Sequence, residues 1–320
     1  MKSKLLFIAP DYYGFNKVVA KGFNDYSGYN VIDINSTEKY RYKNFGERII
    51  NFFSKIFLNR NIKKINKGKH IKSIIEKHDN FDIVIINRPD VLKIEDLDLA
   101  INKSLYSIAL LWDSLEKVPI NLEILNKFNK CCSFDNSDCK SYGFEKITNF
   151  YFSEEKSFSK KIVSYLATYD DRMDKAFKIF DNLSKQNLPY KAKIFSNNKL
   201  NEIKNYKNIK IFHEIIPFEE SYKYYLNSKF ILDIAHENQK GLSFRPFEAM
   251  GLRKKLITTN ANIINYDFYN KKNIFVIFDV NNFQLDNEFL ESEYEELDPY
   301  LYKKYFIKNW IKIIISHYEK

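Results

Sequence analysis

Cysteine is scarce in this 320-residue chain, and its three cysteines cannot form a disulfide framework. Cys131 and Cys132 are neighbours in an apolar run, and Cys139 follows shortly afterwards. Small secreted domains that depend on disulfides carry far more cysteine. We therefore expect free thiols, buried at the adjacent pair, and a reducing, cytoplasmic location.

Glycine and proline are also infrequent, with 8 and 7 residues. These counts exclude collagen-like and linker-rich chains. No apolar run approaches the length of a membrane-spanning helix. The glycine fingerprint of dinucleotide-binding domains does not follow the first predicted strand, and there is no Walker A sequence. Both absences argue against a dehydrogenase or a P-loop nucleotidase.

Positive charge is abundant, but arginine supplies little of it. The formal net charge is +10, and only seven of the 51 basic residues are arginines. Specific recognition of phosphates and bases depends mostly on arginine, so we predict no nucleic-acid partner. A nucleic-acid-binding protein stays open as an alternative that rests on charge alone.

Short apolar runs of strand length alternate with helical patterns along the chain. This alternation is typical of parallel sheets covered by helices. A polar stretch at 153–160 interrupts the pattern, which then restarts, so it reads as a linker. We predict an α/β protein with two Rossmann-like, doubly wound domains facing a cleft. The first domain would cover 1–153 and the second 160–298.

The most informative stretch follows the apolar run 230–235, which reads as a buried strand. Gly241 leads into a predicted short helix with Pro246 in its first turn and Gly251 at its end. Arg245 and Glu248 lie three residues apart and so share one helical face. A cation there suits a phosphate and a carboxylate suits ribose hydroxyls, whereas the alternative is an ordinary Arg–Glu surface pair.

This stretch resembles the donor-binding signature of GT-B glycosyltransferases, close to the glycosyltransferase 4 group and its CgeB-like relatives. The resemblance is clearest across 222–269. It implies a nucleotide-sugar donor and a last helix, 299–320, that packs back on the first domain. The group often has a second glutamate eight residues before the ribose-binding one, where this chain has Lys240. The implied donor-binding residues are Arg172, Gln239, Gly241, Leu242, Ser243, Arg245 and Glu248.

Ligands bind beyond the carboxyl ends of strands in open α/β sheets. In the first domain this rule selects Asp11 and Tyr12, together with Arg88 and Asp113. Asp11 is a catalytic candidate, and the other three are candidates for the acceptor side. Ordinary loop roles, and helix capping by Asp113, remain alternatives.

Two further residues follow strands of the second domain. His236 is the other catalytic candidate, with a structural role as its alternative. Arg172 opens the first helix of that domain, where pairing with Asp170 or Asp174 is the alternative to phosphate binding.

The basic segment 41–70 contains apolar residues on one helical face. Such a helix suits an anionic membrane surface, and a buried domain helix is the alternative. No cysteine or histidine spacing matches a metal site, and Asp96-Leu-Asp98 lies in a helical pattern. We therefore expect no metal and no cofactor.

The resemblance implies a glycosyltransferase, and the absence of a convincing metal cluster in the sequence fits a metal-independent one. It would move a sugar from a nucleotide-diphosphate donor to a saccharide or lipid-linked acceptor during bacterial surface polysaccharide assembly, such as capsule or lipopolysaccharide. The protein would be cytoplasmic, with peripheral contact to the inner membrane face as a variant. The alternative is a non-catalytic protein of the same fold that binds sugar nucleotides or polysaccharides.

Overall fold

The computed structural model describes residues 3–37, 70–197, 206–237 and 241–318. The chain divides into two compact units. The first comprises Met1–Ser133, Ser137–Lys146 and Ile315–Lys320, and the second comprises Phe134–Asn136 and Ile147–Ile314.

The first unit is built on a parallel sheet with strand order β2-β1-β3-β4-β5-β6. Its strands are β1 Lys4–Ala9, β2 Asn30–Asn35, β3 Phe81–Asn87, β4 Ser104–Leu111, β5 Lys130–Ser133 and β6 Glu145–Lys146. Its helices span Phe15–Tyr26, 70–76, Ile94–Asn102, Leu122–Leu125 and Asn136–Tyr142, with a 3₁₀ turn at Pro89–Val91.

The second unit repeats this plan with strand order β12-β11-β10-β7-β8-β9. Its strands are β7 Lys160–Thr168, β8 Tyr190–Phe195, β9 Ile209–Phe212, β10 Ser228–Asp233, β11 Lys255–Thr258 and β12 Ile274–Val276. Its helices span Met173–Lys185, Phe218–Ser221, Arg245–Gly251, Asn287–Glu291, Pro299–Lys304 and Ile307–Ser316, with 3₁₀ turns at Tyr222–Tyr224 and Ala261–Asn265.

Alternate residues of β10 enter different apolar clusters of the second unit. Phe230 and Leu232 join one cluster, and Ile231 joins the other. A strand buried on both faces must be apolar at consecutive positions, which explains the unbroken run in the sequence. The predicted α/β class with two Rossmann-like domains is therefore confirmed.

The sequence pattern at 218–227 predicts a single helix, and the α-helix in the structure is shorter. An α-helical turn ends at Ser221, and a 3₁₀ turn at Tyr222–Tyr224 follows. The Tyr225 amide donates to the Tyr222 carbonyl at 3.0 Å, and the Tyr225 side chain is fully buried. The tighter turn places this large ring in the core just before β10 begins, and tertiary packing here overrides the helical pattern.

The three thiols are free, and Cys132 is buried while Cys131 is half-buried. Desolvation raises the pKa of Cys131 to about 11 and that of Cys132 to about 12. Both thiols are therefore protonated and unreactive at neutral pH.

Across the described ranges, no helix combines the length and the apolar character needed to cross a bilayer. The predicted membrane-surface segment 41–70 lies outside the described residues, except for His70.

Candidate functional site

The carboxyl ends of β7 and β10 bring several predicted residues of the second unit together. Arg172 precedes the helix Met173–Lys185, which follows β7, and His236 follows β10. Arg245 opens the helix that comes after the same strand. Arg172 donates to the Ile234 carbonyl at 3.2 Å, and Arg245 donates to the Leu166 carbonyl at 2.8 Å. Each arginine is thus tied to the end of a neighbouring strand.

Arg245 and Glu248 form the pair that their spacing predicts. Arg245 Nη1 donates to Glu248 Oε2 at 2.7 Å. The other carboxylate oxygen accepts from Ser221 Oγ at 2.7 Å, and the Glu248 side chain is only 3% exposed. The pair therefore has a buried carboxylate and a half-buried guanidinium, unlike the surface pair of the alternative. The carboxylate already has a donor on each oxygen, so ribose hydroxyls would have to share it.

Arg245 is held from several sides. Its guanidinium lies over the Tyr225 ring, 5.1 Å from the centroid. Burial alone would lower the pKa of Arg245, but nearby groups that include Glu248 and Asp233 raise it above its ordinary value. The guanidinium is therefore a permanent cation in a fixed position.

Arg172 forms the carboxylate pair that was its alternative, with Asp170 and not with Asp174. Its Nε and Nη2 donate to the Asp170 carboxylate at 2.9 Å and 2.6 Å. Burial would lower the pKa of Arg172, but this effect is outweighed by the hydrogen bond that Arg172 donates to Asp170 and by attraction to carboxylates that include Asp233. Part of its positive charge is consequently neutralised before any ligand binds.

His236 lies between two carboxylates. Its Nε2 is 3.8 Å from Asp170 Oδ2, and its Nδ1 is 3.4 Å from Asp171 Oδ1. Ligand atoms of these three residues lie within 4.8 Å of one another, a grouping that the sequence analysis did not find. Asp170 already accepts from Arg172 through both oxygens, which leaves it less available to a metal ion.

The helix Arg245–Gly251 begins on a chain of hydroxyl groups. The Arg245 amide donates to Ser243 Oγ at 3.1 Å, and Ser243 Oγ donates to Asp233 Oδ1 at 2.9 Å. Thr258 Oγ1 donates to the other oxygen of Asp233 at 2.8 Å. Ser243 was predicted to bind the donor, and in the structure its hydroxyl positions the helix start.

The remaining predicted donor residues serve close packing or fall outside the described ranges. A side-chain carbon at Gly241 would meet the Phe134 ring at 2.3 Å, so glycine is required there. Leu242 is buried, and its carbonyl accepts from Asn149 at 2.8 Å. Gln239 and Lys240 lie outside the described residues.

Sequence reasoning missed four residues that surround the arginines: Ser221, Tyr165, Tyr225 and Asp233. The hydroxyls of Tyr165 and Tyr225 are buried without a hydrogen-bond partner in the described part of the chain. Of these four, only Asp233 could have been recognised from the sequence, because it is a charged residue within the apolar run 230–235.

In the first unit the four predicted residues lie at the carboxyl edge of its sheet. The Asp11 amide donates to Thr37 Oγ1 at 3.1 Å, and within the described ranges Asp11 Oδ1 is buried without a partner. Tyr12 is 50% exposed. Arg88 has a left-handed φ of 55° and pairs with Asp90 at 2.7 Å.

Asp113 does not act as a helix cap. Its carboxylate pairs with Lys117 Nζ at 2.7 Å, and the Lys117 amide bonds to Ser114 Oγ instead. The hydrogen bond that Arg88 donates to Asp90 is the main cause of its raised pKa, and attraction to Tyr12 and Asp113 contributes less. Arg88, Tyr12 and Asp113 are therefore near neighbours.

The Asp96-Leu-Asp98 sequence is not arranged as a metal site. Both residues lie on the helix Ile94–Asn102, where positions two apart point in different directions. Asp96 is buried, and Asp98 pairs with Lys127 at 2.6 Å.

No protein-family model matches the chain, and no curated protein matches its sequence. Solved structures do match its fold. An alpha-glucosyltransferase in complex with UDP and a 13-mer DNA aligns over 100% of both chains, with a TM-score of 0.61 and 12% identity. A UDP-N-acetylglucosamine 2-epimerase from Rickettsia bellii aligns over 100% of this chain and 98% of that chain, with a TM-score of 0.53 and 10% identity.

TarM aligns over 79% of this chain with a TM-score of 0.51 and 14% identity, and the match covers 58% of TarM. At such low identities the likeness concerns the fold. The two six-stranded parallel sheets with their helices match the two Rossmann-like domains of the GT-B fold. Because this fold is shared by transferases and an epimerase, function has to be argued from the site.

Proposed function

We propose that this protein is a GT-B glycosyltransferase that uses a nucleotide-diphosphate sugar and needs no metal ion. The supporting observation is the fixed arginine pair at the carboxyl ends of β7 and β10. Arg172 and Arg245 keep N–H groups beyond those bonded to Asp170, Glu248 and the strand carbonyls. Fixed guanidinium groups stabilise the negative charge that develops on a leaving diphosphate.

The other residues that the sequence selects have roles in the same proposal. Glu248 would bind ribose hydroxyls, and Asp11 and His236 would act on the reacting groups. Tyr12, Arg88 and Asp113 would contact a saccharide or lipid-linked acceptor. The biological setting would be surface polysaccharide assembly in the cytoplasm or at the inner face of the membrane, within the CgeB-like glycosyltransferase 4 group.

The first experiment is a thermal-shift screen with UDP-, GDP-, CMP- and dTDP-sugars, followed by calorimetry. One nucleotide class should raise the melting temperature because a ligand that binds only the folded state stabilises it. Arg245→Ala should weaken that binding by about 1.5–3 kcal/mol, the usual value of a charge-assisted hydrogen bond. Arg253→Ala makes the same change in net charge at the far end of the helix and serves as the matched control.

Turnover assays then separate transfer from mere binding. Donor hydrolysis or transfer to an acceptor supports the enzyme, whereas tight binding without turnover supports the non-catalytic alternative. The products should also be checked for epimerised sugar. Duplex DNA belongs among the test acceptors, and transfer to it would contradict the expected saccharide or lipid-linked acceptor. Unchanged nucleotide affinity in Arg245→Ala would refute the donor site.

A further inference from the structure

Asp233 is a buried carboxylate at the last position of β10, and the side chain of this residue does not take part in the arginine ion pairs. The residue is 5% exposed. Its two oxygens accept from Ser243 at 2.9 Å and from Thr258 at 2.8 Å. Both partners are neutral hydroxyl groups, so the charge of Asp233 is not cancelled by its own hydrogen bonds.

Hydrogen bonds link both arginines to Asp233 or to its neighbours, although Arg172 precedes Asp233 in the sequence and Arg245 follows it. Arg172 donates to the carbonyl of Ile234, the next residue, at 3.2 Å. The Arg245 amide bonds to Ser243, which in turn donates to Asp233. Attraction to Asp233 is among the causes that raise the pKa of both guanidiniums. The carboxylate therefore acts on both cations without forming a salt bridge to either.

The charges around the arginines do not leave a simple cationic site. Asp170 pairs with Arg172, and Glu248 pairs with Arg245. Asp233 adds a third carboxylate near two guanidiniums. An anion entering this site meets cations whose field is already offset, and its affinity is lower than an unopposed arginine pair would give.

We propose that Asp233 is a built-in counter-charge to Arg172 and Arg245 that limits their affinity for a diphosphate. The inference rests on the proposed function. The negative charge of Asp233 offsets part of the positive field of both guanidiniums. The same charge favours departure of the nucleotide diphosphate after the sugar has been transferred, which keeps product release from becoming slow. Asp233 is thus a positioning residue that acts on the bound anion through its charge on the two arginines.

The test is Asp233→Asn, which removes the charge and keeps the shape. Calorimetry with UDP, GDP and inorganic pyrophosphate should show that the nucleotide bound by the wild type, and pyrophosphate, bind about tenfold more tightly to the variant. With the full enzyme, kcat and KM should both fall because the product leaves slowly. Asp96→Asn is the matched control: Asp96 is equally buried, at 5% exposure, in the first unit, and the change in net charge is the same.

The outcomes separate the possible failures. If the wild type binds none of the three probes, the proposed function itself fails. If it binds them and Asp233→Asn binds them equally or more weakly, only the counter-charge role is overturned. Thr258→Val removes a hydrogen bond but keeps the charge, so it should lose stability without tighter binding. Asp233→Thr is the second neutral variant, and failure of both neutral variants to fold would show a purely structural role.

Discussion

Lys254 and Lys255 are buried ammonium groups at the start of β11, with 3% and 1% exposure. Lys254 donates to the Leu226 carbonyl at 2.7 Å, and Lys255 donates to the Phe289 carbonyl at 2.8 Å. No salt bridge joins either lysine to a described carboxylate. Burial lowers the pKa of each lysine from 10.5 to about 8. The charged form is therefore less favourable in the folded protein than in the unfolded chain.

The lowered pKa values of the two lysines make the stability of the folded protein depend on pH. Below about pH 8 both states carry the charge, and the folded protein bears the full desolvation penalty. Between about pH 8 and pH 10.5 the folded lysines lose their protons first, so stability rises with pH. Relative to the Lys254→Met/Lys255→Met double variant, we expect the wild type to gain on the order of 1 kcal/mol per lysine across this window.

The measurement is urea unfolding at several pH values between 7 and about 10.5, read as the difference between wild type and variant. A difference is needed because the raised pKa values of Cys131 and Cys132 change stability in the opposite direction. Lys185→Met, at an exposed helical position, is the control and should show no such slope. A flat difference for the double variant would mean that both lysines keep an ordinary pKa in the fold.

At the same scale, the sequence predicts some site residues and not others. The spacing of Arg245 and Glu248 fixes their shared helical face, and the structure pairs them at 2.7 Å. Ser221, Tyr225 and Tyr165 come from other segments, and only folding brings them beside Arg245. Local spacing carries no information about such long-range contacts, so these residues could not be predicted.

At the scale of elements, replacing Gly251 at the end of the helix Arg245–Gly251 tests whether helix propensity or packing determines the change in stability. Alanine normally stabilises a helix relative to glycine by about 1 kcal/mol. At Gly251, however, an added carbon would lie 2.6 Å from the Ser153 carbonyl and 2.7 Å from the Tyr151 ring. Gly251→Ala should therefore destabilise the protein by about 1–3 kcal/mol, as overpacking does. Denaturant unfolding measures this, and a gain in stability would show that the neighbours can move aside.

Elements buried on both faces were predicted best. The apolar runs at β1, β3 and β10 leave little choice because strands inside parallel sheets need consecutive apolar residues. The segment after Phe218 was predicted less well, since the need to bury Tyr225 converts a helical pattern into a tight turn. Tertiary packing decides where such a helix ends, and the local sequence pattern carries no information about that packing.

At the scale of the whole molecule, the sequence predicts the repeated α/β plan because its strand and helix patterns restart after the polar stretch at 153–160. The match to the GT-B fold over the full chain agrees with this plan. Composition and periodicity do not specify a substrate, because substrate choice depends on a few side chains around a common scaffold. The site therefore has to be identified by experiments on the intact protein.

The metal requirement concerns the whole molecule and depends on the proposed glycosyltransferase function. Arg172 and Arg245 are fixed cations at one sheet edge, so the leaving diphosphate has partners without a divalent ion. Asp170, Asp171 and His236 are the competing arrangement, but both oxygens of Asp170 already accept from Arg172. We expect sugar transfer to survive EDTA at the untreated rate. The expectation is contradicted if EDTA abolishes turnover and manganese restores it. If Asp171→Asn also abolishes the manganese-dependent turnover, the metal is assigned to that group.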